Sequence, residues 1–179
     1  MKAIADMGMG ELAAFVCSHL QRRGIEVVLT GGGCVSIYAD GKYVSDDLDF
    51  IENLSSGRRK LKAVLAEIDF QEQGRYFRHP ETKIFLEFPA GPLAVGDEPP
   101  QSLKVLSYET GTLVALSPTD CIKDRLAAYY HWNDLECLEQ ALLVGRSNDI
   151  DLAEIERWSK KEGQSGKFVN FRDRLIDPQ

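Results

Sequence analysis

The sequence predicts an α+β protein, with a β-sheet and flanking helices over residues 1–116 and a C-terminal helical cap over 117–179. Two observations carry this division. Short apolar runs rich in β-branched and aromatic residues recur only before Ser117. Beyond it, apolar residues recur at helical spacing, as at Leu135, Leu138, Ala141 and Leu142.

The elements follow in order. Leu12, Phe15, Val16 and Leu20 lie on one helical face, so 11–23 is read as an amphipathic helix, with Gly24 as its stop. Ile25 to Leu29 is a short apolar run and predicts a buried strand. Gly31-Gly32-Gly33 follows, then a short helix over 33–39 and a turn at Asp40-Gly41. Val44 to Glu52 predicts a second strand. Ser55 or Ser56 would cap a helix carrying Leu61, Val64, Leu65 and Ile68. Strands at 70–77 and 83–88 pair across His79-Pro80-Glu81-Thr82, and the Gly- and Pro-rich 89–100 is a surface loop. A further hairpin joins 102–108 to 112–116. Ser117-Pro118-Thr119-Asp120 then starts a helix, with Ser117 as cap and Pro118 in the first helical position. Two more helices are expected. One opens at Asn133-Asp134, with Leu135, Leu138, Ala141 and Leu142 inward and Gly145 closing it. The other covers 151–161, and the polar tail after Gly163 is expected to dock loosely.

Chemistry concentrates in Leu29 to Ile51. On a strand, Asp47 and Asp49 point to the same face, while Leu48 and Phe50 point into a core. Two carboxylates so placed repel unless a cation or proton lies between them. Mg²⁺ is the natural cation, because it takes oxygen ligands and is shared between carboxylates and substrate phosphates. The glycines supply backbone N–H groups with no side chain in the way, at the positive end of a helix, where phosphate binds. No Lys-Ser/Thr follows them, so this is not a Walker loop, and they are consecutive, so it is not the dinucleotide fingerprint. Glu87 interrupts the apolar run Ile84 to Phe88. From the residues alone it is either solvent-facing on an edge strand or a buried acid in need of a partner.

Leu29, Gly31, Gly32, Asp47, Leu48, Asp49 and Phe50 together resemble the signature of the nucleotidyltransferase superfamily with the DNA polymerase β-like fold. Gly-Gly-x-small at the start and Ser-Asp-Asp-Leu-Asp-Phe at the end look most like small bacterial members, including toxin-type proteins of abortive-infection systems. The resemblance implies a mixed sheet. It implies metal-dependent transfer of a nucleoside monophosphate from a nucleoside triphosphate (NTP) to an acceptor hydroxyl on a protein, an RNA or a small molecule. Asp47, Asp49 and Glu87 would be catalytic and would hold Mg²⁺, with Mn²⁺ as the alternative. Gly31, Gly32, Gly33, Ser45 and Lys123 would bind the nucleotide. Many relatives carry Arg and Thr just before the acids; here Ser45 stands for the Thr and the Arg is missing. Lys123 occupies the place of a lysine that reaches the phosphates, although from the residues alone a solvated helix face is equally open.

Net charge is −7, which disfavours broad nucleic-acid binding, and the basic clusters at Arg22-Arg23, 58–62, 75–78 and 160–161 are short. The four cysteines show no CxxC, so cytosolic thiols rather than a zinc site are expected. No signal peptide or membrane span is read, and the expected location is cytoplasmic. His19, His79 and His131 share no context and are expected at the surface or at helix ends. Tyr129, Tyr130 and Trp132 are expected in the core rather than stacked on a base. Two other functions stay open: a catalytically silent nucleotide-binding or regulatory protein of this fold, and an interaction partner in a toxin–antitoxin-like pair.

Overall fold

The computed structural model describes residues 2–53 and 56–177. Helix α1 (Met9–Arg22) buries Leu12, Phe15, Val16 and Leu20, and Gly24 follows it at φ +70°. Strand β1 (Val27–Thr30) is buried along its whole length. Helix α2 (Gly31–Tyr38) starts at the first glycine rather than at Gly33. Strand β2 (Asp47–Glu52) starts three residues later than expected. Residues 42–46 are instead a loop held to α2, where the Ser45 N–H donates to Ser36 Oγ at 2.7 Å.

Helix α3 (Arg58–Ala66) has Gly57 at its N-cap and no side-chain cap. Ser55 lies outside the described residues, and Ser56 donates to Glu52 instead, through both N and Oγ. The strand expected over 70–77 is a hairpin, β3 (Gln71–Gln73) and β4 (Tyr76–Arg78), because Gly74 takes φ +66° between them. Strands β5 (Phe85–Glu87), β6 (Leu103–Tyr108) and β7 (Gly111–Leu116) follow. The sheet runs β3-β4-β5-β2-β1-β7-β6. It is mixed, with β2–β5 and β1–β7 parallel and the other neighbours antiparallel.

The cap holds α4 (Pro118–Trp132), α5 (Leu135–Ser147), α6 (Leu152–Lys161) and α7 (Ser165–Ile176). Ser117 caps α4 by accepting from the Asp120 N–H at 3.2 Å. Three expectations need correction here. Helix α5 runs through Gly145, which is small because a Cβ there would lie 2.9 Å from Leu175 of α7. The tail is a docked helix that buries Phe168 and Phe171. Leu135 is 60 % exposed rather than inward. His19 and His79 are also buried; His19 Nε2 lies 3.0 Å from the Val64 carbonyl, and His79 Nδ1 accepts from the Glu81 N–H. Among the described residues no helix is long and apolar enough to cross a membrane.

Candidate functional site

The site forms where β1, β2 and β5 meet. Asp49 stands opposite Thr30 of β1 and opposite Glu87 of β5. Paired residues on neighbouring strands point to the same face, so the parallel β2–β5 register sets Glu87 beside Asp49. One carboxylate oxygen from each of Asp47, Asp49 and Glu87 lies within 4.8 Å of the other two. All three side chains are partly buried. The Asp49 carboxyl is pushed up to about 7, first by burial and then by the charges of Asp47 and Glu87. Arg125 opposes that rise and Asp124 adds to it.

The glycines bring α2 against this cluster. Gly31 has φ +65°, and a Cβ on it would collide with Asp49 Oδ2. On Gly32 a Cβ would lie 2.9 Å from Ser45 Oγ, and on Gly33 it would lie 3.0 Å from Leu48 Cδ2 and 3.1 Å from the Asp47 carbonyl. Any larger residue would push the helix N-terminus off the acid-bearing strand. Ser45 is buried, and its hydroxyl donates to Asp47 Oδ1 at 2.7 Å. It therefore orients an acid; the structure shows it no nearer role.

Lys123 does not face this cleft. It is 1 % exposed, 2.7 Å from Asp120 Oδ1 without hydrogen-bond alignment, and it donates to Glu154 Oε1 at 3.0 Å. A cation so enclosed by two carboxylates cannot reach a phosphate without unpacking α4. Sequence reasoning missed its neighbours, Asp124 and Arg125. Asp124 Oδ2 accepts from the Gly31 N–H at 3.3 Å and from Arg125 Nη2 at 2.6 Å. Helical phase was the available signal. Ser117 fixes the start of α4, and Asp120, Lys123, Leu126 and Tyr130 then form one buried stripe at spacings of three and four. Arg125 lies about 200° around the helix from Lys123, and its Nη1 also reaches Gln140 Oε1 and Cys137 Sγ of α5. Burial alone would lower its guanidinium pKa, but the Asp124 carboxylate outweighs that and raises it.

Two arginines lie near the acids. Arg75, from the β3–β4 turn, places Nε 3.3 Å from Glu87 Oε1. Arg125 approaches from the cap. Three carboxylates on one face form an all-oxygen donor set, which suits a hard divalent cation such as Mg²⁺. Among the described residues only Glu87 of the three has a cation at contact distance, and burial with the neighbouring acids keeps the Asp49 carboxyl raised.

Solved structures share this architecture. An antigenic nucleotidyltransferase-like protein from Paracoccidioides brasiliensis superposes with a TM-score of 0.53 and 14 % identity, over 75 % of each chain. The antibiotic-resistance factor ANT(2'')-Ia superposes with a TM-score of 0.52 and 13 % identity, over 94 % of each chain. The chain has a nucleotidyltransferase-like fold. Neither a protein-family model nor a curated protein sequence matches it. In this nucleotidyltransferase-like frame the three acids stand on adjacent central strands, and α2 and α4 close over one side of them.

Proposed function

We propose that the protein is a metal-dependent nucleotidyltransferase that moves a nucleoside monophosphate from an NTP to an acceptor hydroxyl. The observation that carries this reading is the convergence of Asp47, Asp49 and Glu87 beside the glycine N-terminus of α2. Mg²⁺ bound to those carboxylates would supply charge neutralisation on the triphosphate.

The chain's own residues have these roles. Asp47, oriented by Ser45, and Asp49 provide oxygen ligands at fixed spacing. Backbone N–H groups of Gly31 to Gly33 bind the terminal phosphates, with Arg125 as the nearby cation. Arg75 holds Glu87 in place from the rim. The acceptor oxygen attacks the α-phosphorus, and its proton passes to the Glu87 carboxylate. The new O–P bond replaces the bond to the β-phosphate oxygen, and pyrophosphate leaves with that electron pair. Catalysis here is positioning and electrostatic stabilisation rather than covalent chemistry by the protein. The abortive-infection subgroup that the motif resembles adds a protein partner and a cytoplasmic setting to this reading.

One observation favours a second reading. The Asp124 carboxylate already accepts from the Gly31 N–H, where an anion would bind. A silent nucleotide-binding protein could keep that contact and never turn over. Incubation with each NTP, Mg²⁺ and pooled protein, RNA and small-molecule acceptors tests the choice. Pyrophosphate release that Asp47→Asn abolishes is expected. Mg²⁺-dependent NTP binding with no release under any acceptor would favour the silent form. Absence of both binding and release would reject the fold's chemistry for this chain.

A further inference from the structure

Beyond the acids, the same sheet face continues outward toward the β3 edge. Tyr76 of β4 pairs with Glu87 of β5, so its side chain lies on the acid face. Phe85 stands two residues before Glu87 and Arg78 two residues after Tyr76, on that same face. The Tyr76 and Phe85 rings meet edge to face, with centroids 4.6 Å apart. Arg75 lies over Tyr76 at 4.7 Å, and Arg78 lies over Phe85 at 4.6 Å. Both rings are half-buried, both arginines are exposed, and Gln71 and Gln73 extend the exposed face. Glu72, the one acid of β3, points away and pairs with Arg58 and Lys62. A protein of net charge −7 thus sets two arginines and two rings one strand away from its acid cluster, about 5 Å from it.

From this juxtaposition we infer that β4 and β5 form the acceptor site, and that the acceptor presents a nucleotide. Its base stacks on the Tyr76–Phe85 pair and the guanidinium planes above it, and its phosphate meets Arg75 and Arg78. The spacing places the sugar hydroxyl of that nucleotide at Glu87. The source is either a free mononucleotide or the end of a single-stranded RNA. The inference rests on the reading of the three acids as the reacting centre.

The test measures binding of a short single-stranded RNA and of adenosine monophosphate, by anisotropy and by calorimetry, to the native protein, Arg78→Ala and Tyr76→Leu. Arg78 is exposed and Tyr76 half-buried on a short strand, and circular dichroism checks that the variants fold. Each variant should weaken binding about tenfold, as loss of one stacking or phosphate contact does. Arg78→Ala should also reduce the salt slope for RNA by about 0.7. Affinity for Mg²⁺–NTP at the acids should stay unchanged in both. Where the variants weaken binding, RNA binding without mononucleotide binding identifies a strand end, and mononucleotide binding, with or without RNA binding, identifies a free nucleotide; either supports the site. If neither probe binds, or if both variants bind as the native protein does, the site is wrong. Variant-sensitive binding with no pyrophosphate release would leave the site standing and remove the transferase reading alone.

Discussion

Two clusters of acids in this protein are built oppositely. In the cap, Asp120 and Glu154 enclose Lys123, while Arg157 bridges Glu154 to Glu98, which Lys161 also pairs. Every acid there has a cation, and Glu154 is lowered to about 2, first by its hydrogen bond from Arg157. On the sheet, Asp47, Asp49 and Glu87 face one another, and Asp49 is raised to about 7, first by burial. The composition is similar and the outcome is reversed, because the cap gives each acid a cation at contact distance, whereas on the sheet Arg75 pairs with Glu87 alone, and burial with the neighbouring charges raises Asp49. The first arrangement holds elements together. Trp158 Nε1 donates to the Val95 carbonyl and Glu98 ties to α6, so the cluster also fixes the 89–100 loop against the cap. The second arrangement is unbalanced, which is what a metal site requires of its protein.

The largest expected effect lies in the matched cluster. Lys123→Ala leaves two carboxylates facing each other in a dry interior and should destabilise the protein by about 3–5 kcal/mol, read as a lowered urea midpoint. A change within about 0.5 kcal/mol would mean that Lys123 is not structurally committed and would return it to the list of phosphate ligands.

Next comes the cation between the two regions. Arg125→Ala should weaken binding of Mg²⁺ with a non-hydrolysable triphosphate by about ten- to hundredfold, the usual scale for a lost hydrogen bond to a charged group. Titration calorimetry reads it. Unchanged affinity would remove Arg125 from the site.

A third effect is in the pH dependence, and its sign differs between the clusters. Asp49 rises from 3.8 to about 7 on folding, so the folded chain binds the extra proton between those values. Its contribution to the metal-free protein is therefore greatest below the lower value and is lost as pH rises to the upper one. Glu154 falls from 4.5 to about 2, so its contribution is present above the higher value and is lost as pH drops toward the lower one. Melting curves across pH should show Asp49→Asn removing only the first trend and Glu154→Gln only the second. Parallel changes in the two variants would erase the distinction.

The contrast also explains what the sequence revealed. Alternation on β2 and a glycine run announce the paired acids within one short stretch, because strand geometry fixes which residues share a face. Glu87 stood out as one acid in an apolar run. Lys123 was read toward the phosphates and Arg125 was not singled out, since only the phase of α4 separates a buried cation from one nearer the acids. Asp124 was harder still, because its partner Gly31 is distant in sequence. Helix α7 was missed because its two buried rings, Phe168 and Phe171, sit in a mostly polar stretch, and the gap that accepts α7 is made by Gly145 of another helix.

Thermal melting of the native protein and of Asp49→Asn, each with and without Mg²⁺ and a set of triphosphates, tests most directly whether the unmatched acids exist for metal. Neutralising one of three mutually repelling carboxylates should leave the metal-free protein at least as stable as before. Mg²⁺ with nucleotide at about a hundredfold over its dissociation constant should stabilise the native protein by about 2.7 kcal/mol, and the variant should lose most of that gain. A loss of about 1–3 kcal/mol in metal-free Asp49→Asn, as for an acid with a structural partner, together with no ligand-dependent shift in the native protein, would contradict the account.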